Sequence, residues 1–211
     1  MTPDQFIDEE THIMEQAFTE LLRELEEFGE ANDSSTDERS RKMLNITHDT
    51  GAFLAVLIKA CKARNVLEIG TSNGYSTLWL ADAVGEGGTV TTVELAEEKA
   101  EMAGDNFRRA GLDSRIRQIT DDAGRFIAGR DAGEYDFLFL DSNRAQYVGW
   151  WDSLRRILAD GCLLVIDNAI SHAHQLEEFN KLVEASDDFS GVLVPVGKGE
   201  LVLLKESGDA N

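Results

Sequence analysis

Three oxygen-bearing side chains stand at the ends of two apolar runs: Asp141 closes DFLFLD, and Asp167 with Asn168 closes CLLVIDN. If these runs are neighbouring strands, about 4.8 Å apart, two carboxylates and an amide oxygen converge at one edge of a sheet. Packed that closely, the carboxylates repel unless a cation joins them. All-oxygen ligation favours Mg²⁺, with Mn²⁺ or Ca²⁺ as alternatives, over zinc. The plainer reading, in which both Asp residues only cap the following helices, stays open on these residues alone.

A second constellation is the turn Glu68-Ile69-Gly70-Thr71-Ser72-Asn73-Gly74-Tyr75-Ser76. Gly70 and Gly74 allow backbone to approach a ligand, and the helix that follows offers free N–H groups. The spacing is G-x-x-x-G, so it lacks the middle glycine of the G-x-G-x-x-G dinucleotide fingerprint. Glu68 is wrong for a phosphate and right for an ammonium group, which suits the amino acid end of S-adenosylmethionine. Twenty residues after Gly74, Glu94 ends the next apolar run, where a carboxylate can accept from both ribose hydroxyls. Glu94 alone does not separate a methyl donor from a dinucleotide. Asp122-Ala123 can reach an adenine amino group or simply cap a helix.

The elements that must position these groups follow from periodicity. Phe6, Ile13, Met14, Ala17, Phe18, Leu21, Leu22, Leu25 and Phe28 recur at helical spacing, predicting an amphipathic helix over 3–28. The stretch 29–40 has no periodicity and reads as a mobile loop. A helix capped by Thr50 or Asp49 should then run to about Arg64. From there strands at 65–69, 89–94, 115–119, 136–141 and 162–167 alternate with helices at 74–84, 96–110, 122–129, 144–159 and 173–185. That rhythm indicates a parallel sheet covered on both faces. GVLVPVGKGELVLLK breaks it with a hairpin, which must be antiparallel. Nicotinamide-dependent oxidoreductases normally keep every strand parallel, so the hairpin and the glycine spacing disfavour them. An antiparallel seventh strand beside the sixth is the usual finish of the class I methyltransferase fold.

Composition removes other classes. With 20 Lys and Arg against 40 Asp and Glu, the 211-residue chain carries a net charge of −20, which repels nucleic acid and anionic lipid. The longest apolar run, Phe53 to Ile58, is far below the roughly 18 residues of a membrane span. The acidic N-terminus does not resemble a signal peptide, and a cytoplasmic, soluble protein is expected. Cys61 and Cys162 have no metal or disulfide spacing and read as buried reduced thiols. Tyr147, Trp150, Trp151, Leu154, Ile157 and Leu158 recur at helical spacing and read as core, with Trp150 or Trp151 able to face a substrate mouth. His12, His48 and His174 carry no argument comparable to that for His172.

The motifs MLNIT, LEIGTSNGYS, the acidic Glu94, FLDSNRAQY and GCLLVIDN together resemble the cation-dependent O-methyltransferases, which include catechol and caffeoyl-coenzyme A O-methyltransferases, over roughly residues 39–205. The resemblance implies an α/β, doubly wound Rossmann-like sheet of seven strands, mostly parallel with an antiparallel C-terminal hairpin strand. It implies one domain over 1–211, with 1–40 an appended helix and loop and 41–205 the catalytic core. Asn45, Ile46, Glu68, Gly70, Thr71, Ser72, Gly74, Tyr75, Ser76, Glu94, Leu95, Asp122, Ala123 and Asp141 would line the S-adenosylmethionine site. Asp141, Asp167 and Asn168 would hold the divalent cation, a small molecule with a hydroxyl, of a vicinal pair, would be the acceptor, and the chain would form a homodimer.

One match fails. The family motif Asp-Ala-Asp-Lys, whose lysine is the base, reads Asp141-Ser142-Asn143-Arg144 here. A guanidinium with a pKa above 12 is no base, but it can orient an anionic oxygen or a carboxylate. His172, four residues beyond Asn168, is then the candidate to take the proton. The missing lysine also supports a rival reading, a protein that binds the methyl donor without turnover.

Overall fold

The computed structural model describes the backbone of residues 3–207 and the side chains from residue 14 onward. Phe6, His12 and Ile13 therefore lie outside the described side chains.

Seven strands form one sheet in the order β3-β2-β1-β4-β5-β7-β6. They are β1 (Asn65–Ile69), β2 (Thr89–Glu94), β3 (Ile116–Thr120), β4 (Tyr135–Leu140), β5 (Leu158–Ile166), β6 (Phe189–Val194) and β7 (Glu200–Lys205). The first five are parallel, and β7 runs antiparallel to both β5 and β6. The chain leaves β1 for β2 in one direction and returns to β4 on the other side of β1. The crevice at that reversal is where open α/β sheets bind ligands.

Alternation along the strands divides the core. Val66, Val90, Phe137, Phe139 and Val165 point to one face, against α1 (Pro3–Ser35), α2 (His48–Cys61), α3 (Tyr75–Val84) and α4 (Glu97–Arg109). Leu67, Ile69, Leu138, Leu140, Leu164 and Ile166 point to the other, against α5 (Ala123–Ala128), α6 (Tyr147–Ile157) and α7 (Ala173–Glu184). Phe137 and Phe139 are wholly buried, which stabilises the fold by about 1.5–3 kcal/mol each.

Several sequence expectations shift. The segment read as a loop is helical as far as Ser35, because tertiary bonds hold it: the Asp33 carboxylate accepts from the Met43 and Leu44 amides at 2.6 and 2.8 Å, and Asn32 donates to the Arg41 carbonyl at 2.9 Å. Leu21, Leu22 and Leu25 of α1 are buried, whereas Met14 and Phe28 are exposed. Helix α2 begins after Thr47, whose hydroxyl caps the Thr50 amide, so neither Asp49 nor Thr50 is the cap, and it ends at Cys61 on a left-handed Lys62. Cys61, at the end of α2, is exposed and Cys162, within β5, is half-buried, both as free thiols, so neither is the buried thiol that its apolar context suggested. Tyr147, Trp151, Leu154 and Ile157 are core as expected; Leu158 is also buried but opens β5 instead of closing α6. No helix among the described residues is long and apolar enough to cross a membrane.

Candidate active site

The carboxyl ends of β1, β2, β4 and β5 open into a cavity of about 500 Å³, within the usual range for small-ligand sites. Most of the residues expected at a donor site line it: Asn45, Ile46, Gly70, Thr71, Ser72, Tyr75, Ser76, Glu94, Leu95, Asp122, Ala123 and Asp141. Two do not. Glu68 is withdrawn behind the turn, fully buried, and accepts from Ser76 at 2.5 Å, from Thr92 at 2.6 Å and from Thr77. Burial pushes its carboxyl up to about 7 against the effect of these hydroxyls, and the structure gives it no place on the cavity wall for contact with an ammonium group. Gly74 also lies off the wall. A side chain at Gly74 would run into Phe107, and one at Gly70 into the carbonyl of Asp141, and both residues hold a positive φ, so packing and backbone conformation each require glycine here, while Gly70 also lines the cavity.

Glu94 keeps its place at the end of β2. Its carboxylate accepts from the amides of Ser72 at 2.8 Å, Leu95 at 3.0 Å and Ala96 at 2.9 Å, which fixes it across the glycine turn. Asp122 caps α5 by accepting from the Arg125 amide at 2.8 Å, while it and Ala123 also border the cavity. Asn45 is tied to the Leu25 carbonyl at 3.0 Å, and Ser72 donates to the Met43 carbonyl at 2.6 Å. The segment after α1 is thereby closed over the turn.

At the other end, Leu140 pairs with Ile166, so the next residues, Asp141 and Asp167, emerge side by side from adjacent strands. Burial and the charge of Asp167 raise the Asp141 carboxyl well above the usual range, opposed by Arg144. Asp141 and Asn168 reach the cavity, while Asp167, 2% exposed, lies just beneath its floor. Asn168 is held at a positive φ of 62° with its amide nitrogen on the Asp167 carboxylate and its oxygen 3.2 Å from the Ser171 hydroxyl. The two ends of an amide exchange by a simple flip, which turns the oxygen toward Asp167. Among the described residues no three His, Cys, Asp or Glu side chains form a group that could hold a metal. The donors on offer are two carboxylates and one amide, all hard oxygens around a surplus of negative charge, and that set fits a divalent cation.

Arg144 is 3% exposed; it stands 3.7 Å from the Asp141 carboxylate and donates to the Asp167 carbonyl at 3.3 Å. The loop that carries it is anchored by Tyr147, whose hydroxyl accepts from the Ser142 amide at 2.9 Å. His172 precedes α7, half-buried on the cavity wall, with Nδ1 2.9 Å from Ser171 Oγ. Burial, then the charges of Arg144, Arg39, His174 and Lys198, lowers its pKa, so the ring is neutral at pH 7. Of the two tryptophans, Trp150 lines the cavity and Trp151 is buried.

Sequence reasoning missed Glu200, Arg39 and Lys198. Glu200 is fully buried at the start of β7, accepts from Thr50 at 3.1 Å, and leaves Oε2 without a partner. Burial and the neighbouring Asp167 push it up to about 9, so it carries a proton at neutral pH. The signal was present: a Glu opening the otherwise apolar run ELVLL.

Residues 17–205 match the family model described as O-methyltransferase. The chain is 32% identical over 148 residues to a catechol O-methyltransferase of Niastella koreensis, covering 69% of this chain and 67% of that one. It is 33% identical over 137 residues to a catechol O-methyltransferase of Mycobacterium tuberculosis, covering 65% and 62%. An O-methyltransferase from Bacillus cereus, solved in complex with SAH, superposes with a TM-score of 0.74 at 25% identity, covering 90% of this chain and 91% of that one. With its glycine turn, its reversed β7 and these relatives, the chain belongs to the class I, S-adenosylmethionine-dependent O-methyltransferase family.

Proposed function

We propose that this methyltransferase moves the methyl group of S-adenosylmethionine to a hydroxyl of a small, catechol-like acceptor, with a divalent cation, Mg²⁺ foremost, held by Asp141, Asp167 and Asn168. The observation that carries this reading is the β4–β5 register, which sets two carboxylates side by side, Asp141 on the cavity wall and the buried Asp167 just beneath it. A bound cation would supply Lewis acidity toward negative charge developing on the acceptor.

The protein's own groups do the rest. Glu94, held by three backbone amides, faces the cavity as an acceptor for ribose hydroxyls. Arg144 cannot take a proton, and its fixed charge beside Asp141 orients an anionic oxygen. Burial and the neighbouring cations favour the neutral ring of His172, and in the tautomer whose Nδ1–H donates to Ser171, Nε2 keeps the lone pair that receives the acceptor's proton. Positioning of acceptor and donor in one cavity accounts for most of the acceleration. By its resemblance to the family, the working unit is a homodimer, which sedimentation velocity checks.

The test is transfer of label from S-adenosylmethionine to a panel of catechols, in Mg²⁺ and in EDTA. Transfer that needs the cation supports the reading. Equal transfer in EDTA refutes the role of the cation, and no transfer in either favours donor binding without turnover.

A further inference from the structure

Arg144 stands inside the carboxyl cluster at the ends of β4 and β5, not at its edge. It is 3% exposed, and its guanidinium lies 3.7 Å from the Asp141 carboxylate. Its one hydrogen bond among the described residues, to the Asp167 carbonyl, is long at 3.3 Å, and its buried Nε has no partner. A guanidinium carries five N–H donors, so this one is poorly satisfied for a buried charge. Its own bonds therefore do not explain its place. The backbone does: Asn143 caps the short helical turn Arg144–Gln146 by accepting from the Ala145 amide at 3.3 Å, and Tyr147 holds the Ser142 amide.

Four carboxyls share this region. Asp141 is acted on by Asp167 and Glu68, and Glu200, from β7, by Asp167 and Asp141. Arg144 is the cation that pairs with the group; among the described residues no other Lys, Arg or His makes an ion pair with any of the four. Of the other basic residues on the cavity wall, Lys99 donates to the Lys42 carbonyl at 2.6 Å and His172 bonds to Ser171. Arg39 and Lys198 are exposed to solvent, which screens them. Burial and Asp167 push the Asp141 carboxyl up, and Arg144 draws it back. With no ion bound, Arg144 thus offsets the repulsion between adjacent strand ends. A divalent cation held by Asp141, Asp167 and Asn168 would draw on the same two negative charges and be repelled by the guanidinium beside them.

We infer that Arg144 is a built-in counter-ion of the cation site, which stabilises the fold when no cation is bound and by the same charge sets a weak affinity for the cation. The inference rests on the proposed cation site and adds a role for the arginine that stands where a lysine was expected. Because a guanidinium does not lose its proton, the opposition is fixed. Because it is buried, added salt screens it little.

The experiment titrates Mn²⁺ into the full chain without acceptor, reading free Mn²⁺ by electron paramagnetic resonance, for the parent, Arg144→Gln, Arg144→Met and Arg144→Lys. Tm is read alongside in EDTA and in Mg²⁺, and calorimetric binding of S-adenosylhomocysteine reports that each protein is folded. Both neutral variants should bind Mn²⁺ about tenfold more tightly than the parent, or better. Their Tm should be lower than the parent's in EDTA and should rise further on adding Mg²⁺. Arg144→Lys, which keeps the charge, should bind Mn²⁺ within roughly threefold of the parent. A neutral variant that binds S-adenosylhomocysteine only in Mg²⁺ supports the inference too, since the cation then restores what the arginine supplied. Folded neutral variants that bind Mn²⁺ no more tightly than the parent, or Arg144→Lys binding as tightly as they do, overturn the inference and leave the cation site standing. Neutral variants that fail to bind S-adenosylhomocysteine with or without Mg²⁺ make Arg144 a structural residue and also overturn it. No Mn²⁺ binding by the parent or the folded variants overturns the cation site and the inference together.

Discussion

The backbone carbonyl of Asp141 occupies the space in which a side chain on Gly70 would begin. The turn after β1 and the end of β4 are thus in direct contact, the Asp141 amide donating to the Ile69 carbonyl at 3.0 Å. Gly70 also has a φ of 111°, a conformation that side chains rarely adopt. Gly70→Ala therefore meets both backbone strain and overlap, and should destabilise the protein by about 2–4 kcal/mol. Because the same contact sets the distance between the glycine turn and Asp141, donor affinity should fall at least tenfold. Urea unfolding and calorimetry check the two effects, and an alanine variant of native stability would contradict the packing argument.

Glu68 links stability to pH. Its carboxyl is raised from the model-compound value of 4.5 to about 7, so the folded chain binds a proton that the unfolded chain releases. The contribution is fully present below pH 4.5 and is lost as pH rises through about 7, to an extent of about 3 kcal/mol. Glu68→Gln removes that titration while its amide still meets the hydroxyls of Ser76, Thr77 and Thr92. Stability measured at pH 5, 6, 7 and 8 should fall in the parent relative to the variant. A parent-to-variant difference that is flat with pH would count against the burial of an ionisable Glu68.

Tyr147 is wholly buried and its hydroxyl is pushed up to about 12, so it stays neutral and accepts from the Ser142 amide. Tyr147→Phe leaves that amide without its acceptor and should cost about 1–2 kcal/mol. Since the bond fixes the loop carrying Arg144, acceptor KM should rise more than kcat falls. Steady-state kinetics on the Phe variant decide this, with KM unchanged as the adverse result.

Cation binding should be visible without catalysis. Two carboxylates brought together at adjacent strand ends, one of them buried, are relieved by a cation that binds only the folded state. At a hundredfold excess over Kd, Mg²⁺ should raise Tm by about 5 °C or more. Asp167→Asn should abolish most of that shift. An equal shift in parent and variant would place the ion elsewhere.

The order of strands and helices was legible from residue 65 onward because short β-rich runs alternate with longer amphipathic ones, several of them bounded by glycine, as α3 is by Gly74 and Gly85. Asp141, Asp167 and Asn168 could be grouped from sequence because parallel strands in an α/β sheet deliver their carboxyl ends to one edge. The hairpin was legible too, since Gly197-Lys198-Gly199 separates two apolar runs.

What sequence alone could not decide depends on contacts distant along the chain. Helix α1 runs to Ser35 only because Asn32 and Asp33 find backbone partners in residues 41–44, which local propensity does not contain. Glu68 and Glu94 both look like ligand-facing acids in the linear text. The structure separates them, since alternation along β1 sends Glu68 into the hydroxyls of α3 and β2, while Glu94 meets the amides of the turn. Glu200 adjoins Asp167 because β7 inserts antiparallel beside β5, with Leu201 opposite Ile166. Arg39 and Lys198 line one cavity because the segment after α1 closes over the glycine turn, Ser72 donating to the Met43 carbonyl, while the β6–β7 turn reaches the same mouth. Periodicity and turn chemistry are local and are written in the sequence, whereas the facing of one charge by another is settled by which strands become neighbours.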